Sequence, residues 1–295
     1  MKKYAYYPGC SLESLAKAYH LSTIAVADKF GLELNEIKNW NCCGSTAYFP
    51  VDEFLAYTLV SRNLALAEKM GASDFVAPCS ACYKNAYFTN TYLQHDADLA
   101  DHINYALEEE KLQVKASLKV RHLIELFIED VTLEEVAKKT THPLKGLRVA
   151  PYYGCQLLRP RKAKEDVENP RFFENLLAAI GAEPVEYATK ARCCGGSLII
   201  TNRRAALDMV RILLQDAVDS GAAVIATTCP MCDVNLEVYQ DQVNREFGTH
   251  FAVPVMYFTQ LMGLALGIAP AKLGVGKSEL ASLQAKAVPQ PVETK

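Results

Sequence analysis

The sequence predicts an α/β fold of two pseudo-symmetric domains, each a parallel sheet flanked by helices. Three observations support this fold class: the chain length, a duplicated cysteine pattern, and a repeated alternation of strand-like and helix-like segments. The chain has 295 residues, of which 50% are hydrophobic and 22% are charged. That length and composition are sufficient for two ordinary hydrophobic cores.

The ten cysteines form two matching sets of five. The first set comprises Cys10, Cys42, Cys43, Cys79 and Cys82, and the second comprises Cys155, Cys193, Cys194, Cys229 and Cys232. In both sets the double cysteine precedes a glycine, and an asparagine follows the last cysteine three residues later (Asn85 and Asn235). This repeat indicates an internal duplication. It predicts an N-terminal domain at residues 1–145, a C-terminal domain at residues 146–270 and a mobile tail at residues 271–295.

The elements of the first domain alternate in type along the chain. An apolar, aromatic run at residues 2–7 predicts a strand, and the spacing of apolar residues predicts a helix at 12–30. After the double cysteine, residues 52–70 predict a second helix, residues 74–79 a second strand, and the residues from Ser80 onward a third helix.

The second domain repeats this order. Strands are predicted at residues 148–155, 183–187 and 223–229, with helices at 171–180, at 202–220 and after the last strand. Alternating strands and helices are typical of a parallel, Rossmann-like sheet that has helices on both faces. Each domain is therefore expected to be one such unit.

Four cysteines lie at the carboxyl ends of predicted strands: Cys10, Cys79, Cys155 and Cys229. Open α/β sheets bind their ligands at the carboxyl ends of the strands, so these thiols should meet at one edge. The helices that begin after Cys79 and Cys229 would direct their positive dipole ends at the same edge, which suits an anionic thiolate centre. The glycine after each double cysteine permits the backbone turn that two converging neighbouring thiols need.

Five thiolates in each half exceed the four that a structural zinc ion or a cubane cluster requires. The 31 residues between Cys10 and Cys42 are also too many for a short zinc knuckle. Number and spacing therefore favour two iron–sulfur centres. Two zinc sites remain an alternative, and a vicinal disulfide at each double cysteine is a weaker one because it leaves the other cysteines unexplained.

Composition and missing motifs limit the other functions. The net charge of −3 gives no general attraction for nucleic acid. The first residues carry too few apolar side chains for a signal peptide, so a cytoplasmic protein is expected. The apolar stretch at 251–270 predicts a buried helix and not a membrane span. The chain has neither a GxGxxG motif nor a run of cysteines for an ordinary cubane relay, so electrons are expected from another polypeptide.

The two cysteine patterns resemble the paired cysteine-rich CCG domains in the B subunit of heterodisulfide reductase. They read C-x31-CCG-x34-C-x2-C at residues 10–82 and C-x37-CCG-x33-C-x2-C at residues 155–232. The resemblance implies that all ten cysteines bind two non-cubane [4Fe–4S] clusters, five ligands to each. It also implies two partners: a small polypeptide with cubane clusters, similar to the C subunit of that reductase, and a flavin-bearing polypeptide similar to its A subunit.

The resemblance further implies an oxidoreductase that acts on a small disulfide, thiol or lipoyl substrate. The substrate would lie between the two clusters, each sulfur would be captured by iron, and no side-chain nucleophile would be needed. Two alternatives are an electron-transfer subunit that has no substrate of its own and a zinc-binding scaffold. Candidate supporting residues are the asparagines as hydrogen-bond donors to cluster sulfur, nearby aromatic side chains as shields, and cations for an anionic substrate: Asn85, Asn235, Tyr6, Tyr7, Trp40, Tyr152, Tyr153, Lys84, Arg159, Arg161, Lys162 and Arg192.

Overall fold

Two four-stranded parallel sheets form the framework of the protein. The computed structural model describes residues 4–45, 48–160 and 166–286. The first sheet has the order β2-β1-β3-β4, with strands β1 Tyr4–Tyr6, β2 Leu34–Glu36, β3 Asp74–Ala77 and β4 Lys119–His122. The second has the equivalent order β6-β5-β7-β8, with strands β5 Arg148–Tyr152, β6 Glu183–Pro184, β7 Val224–Thr227 and β8 Val255–Tyr257. The shared strand order confirms the duplicated α/β fold.

Helices connect the strands of both halves. In the first half they are α1 Lys17–Lys29, α2 Glu53–Lys69, α3 Ser80–His95, α4 Ala97–Leu107, α5 Leu123–Glu125 and α6 Leu133–Lys139. In the second half they are α7 Gly154–Leu158, α8 Phe172–Ala179, α9 Leu198–Thr201, α10 Arg203–Asp219, α11 Pro230–Glu237, α12 Gln240–Phe247, α13 Phe258–Ala265 and α14 Lys277–Lys286. The helices α2 and α10 begin at equivalent N-caps, where Asp52 and Asn202 accept hydrogen bonds from Leu55 N and Ala205 N.

The two halves share one hydrophobic core. Helix α1 of the first half packs against α13 of the second, and α3 contacts α7. Within the first of these contacts, Ser22 Oγ lies 2.7 Å from Thr259 Oγ1, and the rings of Tyr19 and Tyr257 stack with centroids 4.2 Å apart. These contacts hold the carboxyl-terminal edges of the two sheets next to each other.

The segment that follows the second sheet differs from the expected mobile tail. Residues Pro270–Leu273 form a 3-10 turn, and α14 follows it. Leu273 and Leu283 are buried, because the apolar side chains of this segment pack against the body of the protein. Residues 271–286 are therefore folded, and residues 287–295 of the expected tail lie outside the described residues. The bounds of the two domains at 1–145 and 146–270 remain a prediction.

The apolar stretch at residues 251–270 also differs in detail from the single buried helix that was expected. It contains strand β8 and helix α13, with most of its side chains buried. Within the described parts of the chain, no helix is both long enough and apolar enough to cross a membrane.

Candidate metal centres

The described residues bring each set of five cysteines together at the carboxyl-terminal edge of its sheet. Cys79 is the N-cap of α3 and Cys229 is the N-cap of α11, each two residues after its strand ends. Cys10 follows β1 through a glycine turn, and Cys155 lies in α7 directly after β5. The predicted position of these four cysteines is confirmed, and the helix N-termini behind Cys79 and Cys229 are present as expected.

In the first half the thiols contact each other in a chain. Cys43 Sγ lies 3.4 Å from Cys82 Sγ, and Cys10 Sγ lies 3.9 Å from Cys42 Sγ. Cys79 and Cys82 also contact each other: hydrogen bonds with Cys43 and Cys79 raise the pKa of the buried Cys82 thiol, whereas the contact with Cys82 lowers the pKa of Cys79. All five cysteines are free, and Cys10 and Cys42 are exposed to solvent.

The second half repeats these contacts. Cys194 Sγ lies 3.5 Å from Cys232 Sγ, and a hydrogen bond with Cys193 is the largest cause of the raised pKa of Cys155. The backbone N–H of Gly195 donates to Cys193 Sγ at 3.4 Å. Cys155 and Cys193 are only partly exposed, so the second set is more shielded than the first.

In each double cysteine, hydrogen bonds from neighbouring thiols lower the pKa of one cysteine. Hydrogen bonds from the Cys42 and Cys82 thiols lower the pKa of Cys43 well below its usual value. Hydrogen bonds from Cys155 and Cys194 lower the pKa of Cys193 to about 2. The thiolate is the form that binds metal.

Glycines allow this close approach of thiols. Gly44 and Gly195, after the double cysteines, have φ of +73° and +87°, as the predicted sharp turn requires. Sequence reasoning missed a second pair, Gly9 and Gly154, which immediately precede the first cysteine of each set. A Cβ atom on Gly9 would lie 3.0 Å from Cys82 Sγ, and one on Gly154 would lie 3.2 Å from Cys232 Sγ. The repeated Gly-Cys dipeptide is the signal that could have revealed them.

The two predicted asparagines occupy equivalent buried positions. Asn85 Nδ2 donates to the carbonyl oxygens of Cys43 at 3.3 Å and Ser45 at 3.1 Å, and lies 3.8 Å from Cys43 Sγ. Asn235 Nδ2 donates to the carbonyls of Cys194 at 2.9 Å and Gly196 at 3.1 Å, and lies 3.7 Å from Cys194 Sγ. Each amide therefore holds in place the loop formed by the double cysteine and the glycine after it, the CCG loop, and reaches one of its sulfurs.

Two of the four tyrosines predicted to shield the centres hold the backbone just before the CCG loops. The hydroxyl of Tyr7 donates to the carbonyl of Asn41 at 2.7 Å, and that of Tyr152 donates to the carbonyl of Arg192 at 2.7 Å. Both acceptors immediately precede a double cysteine, and the edge of Trp40 packs on Tyr7 with centroids 5.4 Å apart. The other two tyrosines turn away from the thiols, since the hydroxyl of Tyr6 contacts His20 and that of Tyr153 contacts Glu174.

The two sets of thiols meet at the interface of the halves. A hydrogen bond between the thiols of Cys79 and Cys229 is the largest cause of the raised pKa of Cys79. The neighbouring hydroxyls of Ser80 and Thr228 lie 3.4 Å apart across the same interface. One member of each set is therefore in direct contact with the other set, which the sequence alone did not indicate.

A cavity of about 430 Å³ opens beside Cys155 at the contact between α3 and α7. Phe88 of the first half lines it, together with Arg159 and Glu168 of the second. Lys84 lies nearby: burial, followed by repulsion from the Arg159 guanidinium, lowers the pKa of its ammonium group. Of the other predicted cations, Arg192 provides the carbonyl that Tyr152 holds, whereas Arg161 and Lys162 lie outside the described residues.

The donor set fits iron–sulfur centres. Soft thiolates select iron–sulfur clusters or zinc. Gly9 and Gly154 leave space beside the sulfurs of Cys82 and Cys232 that a Cβ atom would fill. Within the described residues, no group of three or more His, Cys, Asp or Glu side chains is arranged so that it could hold one metal ion. A cluster spreads its thiolates over several iron atoms and does not require them around one point. The assignment of all ten cysteines as ligands stays a prediction.

The fold and the two thiol sets define a class of protein: a duplicated, cysteine-rich α/β subunit of the iron–sulfur oxidoreductase type. The family model described as a cysteine-rich domain, CCG, matches residues 4–85 and 149–237. The chain belongs to this CCG family, and within it to the family of heterodisulfide reductase B subunits, as the sequence resemblance predicted.

Curated relatives match nearly the whole chain. A protein of Wolinella succinogenes, named the membrane anchor subunit of 8-methylmenaquinol:fumarate reductase, is 33% identical over 93% of this chain and 95% of its own length. The B subunit of a ferredoxin/F(420)H(2)-dependent CoB-CoM heterodisulfide reductase from Methanosarcina acetivorans is 31% identical over 96% of each chain. A protein from Archaeoglobus profundus, named for its likeness to the heterodisulfide reductase B subunit, is 27% identical over 92% of this chain and 93% of its own.

A crystal structure of a hypothetical protein from Helicobacter pylori has the same fold. It superposes with a TM-score of 0.74 at 14% sequence identity, over 92% of this chain and 51% of that one. At that identity the likeness concerns the fold alone.

Proposed function

We propose that this chain is the disulfide-handling subunit of a heterodisulfide reductase-like complex, with a non-cubane [4Fe–4S] cluster in each half. The observation that carries the proposal is the contact between two complete and equivalent thiol sets at Cys79 and Cys229. A protein that passed electrons through a single centre would need only one such set. Two equivalent centres that meet suit a reaction in which one bond is cleaved into two equivalent products.

The chain's own residues hold and enclose the centres. Ten thiolates would bind them, Asn85 and Asn235 would donate hydrogen bonds to the sulfur of their CCG loops, and the tyrosine pair Tyr7 and Tyr152 would fix the loops. When bound, the clusters supply electrons one at a time and offer iron to sulfur ligands. The reduction of a disulfide, RSSR′ + 2 e⁻ + 2 H⁺ → RSH + R′SH, needs two electrons, which matches two one-electron centres.

The cavity beside Cys155 indicates the chemistry of the substrate. It joins the two halves and brings Arg159 close to the second thiol set, with Lys84 near enough for the two cations to repel each other. Phe88 adds apolar surface, and the centroid of its ring lies 6.0 Å from Lys84 Nζ. We infer that the substrate is a small disulfide or thiol with a carboxylate or phosphate group, a class that includes free lipoate; a lipoyl amide, which has no such group, would bind more weakly.

The electrons are proposed to arrive through partner subunits, one with cubane clusters and one with a flavin. The relatives that match this chain are named as subunits of larger reductases, which supports the need for partners. The exposed thiols of Cys10 and Cys42 suggest the first half as the side at which such a partner would approach. A cytoplasmic location remains part of this proposal.

A second candidate function is an electron-transfer subunit that binds no disulfide. The observation that favours it is the 33% identity to a subunit of an enzyme named for menaquinol and fumarate, neither of which is a disulfide. A zinc scaffold is a weaker candidate, because five thiols per half exceed the zinc requirement.

Titration of the purified, cluster-loaded protein with thiols and disulfides separates these functions. Electron paramagnetic resonance (EPR) spectra would be recorded with lipoamide, with a carboxylate-bearing dithiol and with buffer alone. A new signal that appears only with a sulfur compound supports the disulfide-handling subunit. Unchanged spectra across a broad substrate series, in protein that contains both clusters, support the electron-transfer subunit.

A further inference from the structure

Tyr19 joins the two halves at the point where their thiol sets meet. This residue lies in α1 and is completely buried. Its hydroxyl oxygen lies 3.1 Å from the carbonyl oxygen of Pro78 and 3.3 Å from that of Thr228. Pro78 and Thr228 immediately precede Cys79 and Cys229. One hydroxyl group therefore contacts the peptide next to a predicted ligand in each half.

The ring of Tyr19 is held in this position by its neighbours. It stacks on Tyr257 with centroids 4.2 Å apart and an angle of 4° between the planes, and the edge contact with Phe258 measures 6.1 Å. Burial raises the pKa of the Tyr19 hydroxyl well above its usual value, so the group stays a donor. A hydroxyl has a single proton, so the two carbonyls share it in one bifurcated hydrogen bond.

We propose that Tyr19 is a positioning residue that sets the separation between the two predicted clusters. It does so by holding the peptides before Cys79 and Cys229 at fixed distances from one oxygen atom. The inference rests on the proposed function only in that both thiol sets carry clusters. A disulfide bond is about 2 Å long, so two centres that act on its two sulfurs tolerate little change in spacing.

The same interface offers a matched control. Ser22 lies three residues after Tyr19 in α1, and its hydroxyl contacts Thr259 at 2.7 Å across the halves. Like the contact of Tyr19 with Thr228, this hydrogen bond is buried and joins the two halves, but neither partner adjoins a cysteine. Ser22→Ala therefore removes a buried hydrogen bond between the halves without releasing a ligand peptide.

The experiment compares Tyr19→Phe and Ser22→Ala in the full chain, purified anaerobically with its clusters. Iron content reports assembly, and the magnetic splitting between the two reduced clusters in the EPR spectrum reports their separation. We expect wild-type iron in both variants, a shifted splitting in Tyr19→Phe, and the wild-type splitting in Ser22→Ala. We also expect 4-aminophenylalanine at position 19, which keeps the ring and restores a donor, to return the splitting to the wild-type value.

Four results would overturn the positioning role. These are an unchanged splitting in iron-replete Tyr19→Phe, a shift that 4-aminophenylalanine does not reverse, the loss of iron from Tyr19→Phe, and the absence of any splitting in the iron-replete wild type. Wild-type protein that binds no iron would instead contradict the proposed function, and that measurement does not involve Tyr19. The two ideas can therefore fail separately.

Discussion

Replacement of Asn85 by leucine tests whether the repeated asparagine supports a metal centre or only the fold. Asn85→Leu removes two hydrogen bonds, to the carbonyls of Cys43 and Ser45, and the approach of the amide to the Cys43 sulfur. Asn90, in the same helix, donates one hydrogen bond to the buried carbonyl of Leu118 at 3.2 Å, far from the cysteines. Asn90→Leu is therefore the matched control.

The structure gives the size of both effects. A buried hydrogen bond contributes about 1 kcal/mol net to stability, so Asn85→Leu should cost about 2 kcal/mol and Asn90→Leu about 1 kcal/mol. Loss of the donor beside the sulfur should in addition weaken the first centre. We expect Asn85→Leu to lose a large share of the iron of the first half, whereas Asn90→Leu keeps the wild-type amount.

Iron analysis, urea unfolding and EPR of anaerobically purified protein measure these quantities. Asn235→Leu should reproduce the Asn85→Leu result in the second half, since its contacts are equivalent. The reasoning is refuted if Asn85→Leu keeps wild-type iron and spectrum and is destabilised no more than Asn90→Leu.

Three further predictions follow from the same geometry. Anaerobically purified protein should contain about eight iron atoms and negligible zinc per chain; two tightly bound zinc ions without acid-labile sulfide would contradict this. Gly154→Ala should lose about half of that iron, because its methyl group would lie 3.2 Å from Cys232 Sγ, whereas Gly248→Ala, with the same φ of +65° and open space around it, should lose none. Anaerobic pull-down should recover a polypeptide with cubane clusters, and rapid reduction of the isolated chain by a flavoprotein alone would argue against that partner.

The sequence predicted the fold class because the elements that define it repeat at a fixed interval. Helix α3 begins at Ser80 as expected, and the predicted helices at 52–70 and 202–220 agree with α2 and α10 to within a residue at each end. The strand predicted at 183–187 shortens to Glu183–Pro184 at the edge of the sheet, where Val185 N makes the last hydrogen bond, to Val149 O at 2.8 Å. The helix predicted from residue 12 begins at Lys17, after turns that bring Ala16 N to Ser11 O at 2.8 Å.

Residue types and their spacing in the sequence also predicted the thiol clusters and the asparagines beside them. The clustering of the thiols and the role of the asparagines follow from residue type, spacing and the rule that parallel strands end at one edge. The role of Tyr19 could not be predicted in this way, because its two hydrogen-bond acceptors are backbone carbonyls 59 and 209 residues away. Carbonyls carry no sequence signature, so only the packing of α1 between the halves reveals the contact.

The folded segment after residue 270 was missed for a related reason. The VPQPVETK sequence at its end suggested a mobile tail, but Leu273, Val275 and Leu283 are buried against the body of the protein. Short apolar segments gain their structure from tertiary packing more than from their own propensity. Strands β2, β4 and β8 were missed as well. The first two read Leu-Asn-Glu and Lys-Val-Arg-His, with one apolar residue each, and β8 lies in the stretch that was predicted to be a helix.

The central claim, that both halves are needed to handle one disulfide, is tested most directly by removing one ligand from each half in turn. Cys43 and Cys194 each contact the last cysteine of their own set, at 3.4 Å and 3.5 Å, so a serine at either position should damage only its own centre. The measurement is two-electron disulfide reduction by Cys43→Ser and by Cys194→Ser, with the iron and EPR signal of the intact half as the control. Our account predicts that each variant loses disulfide reduction while the other half keeps its cluster. Full disulfide reduction by either variant, with one cluster absent, would contradict it.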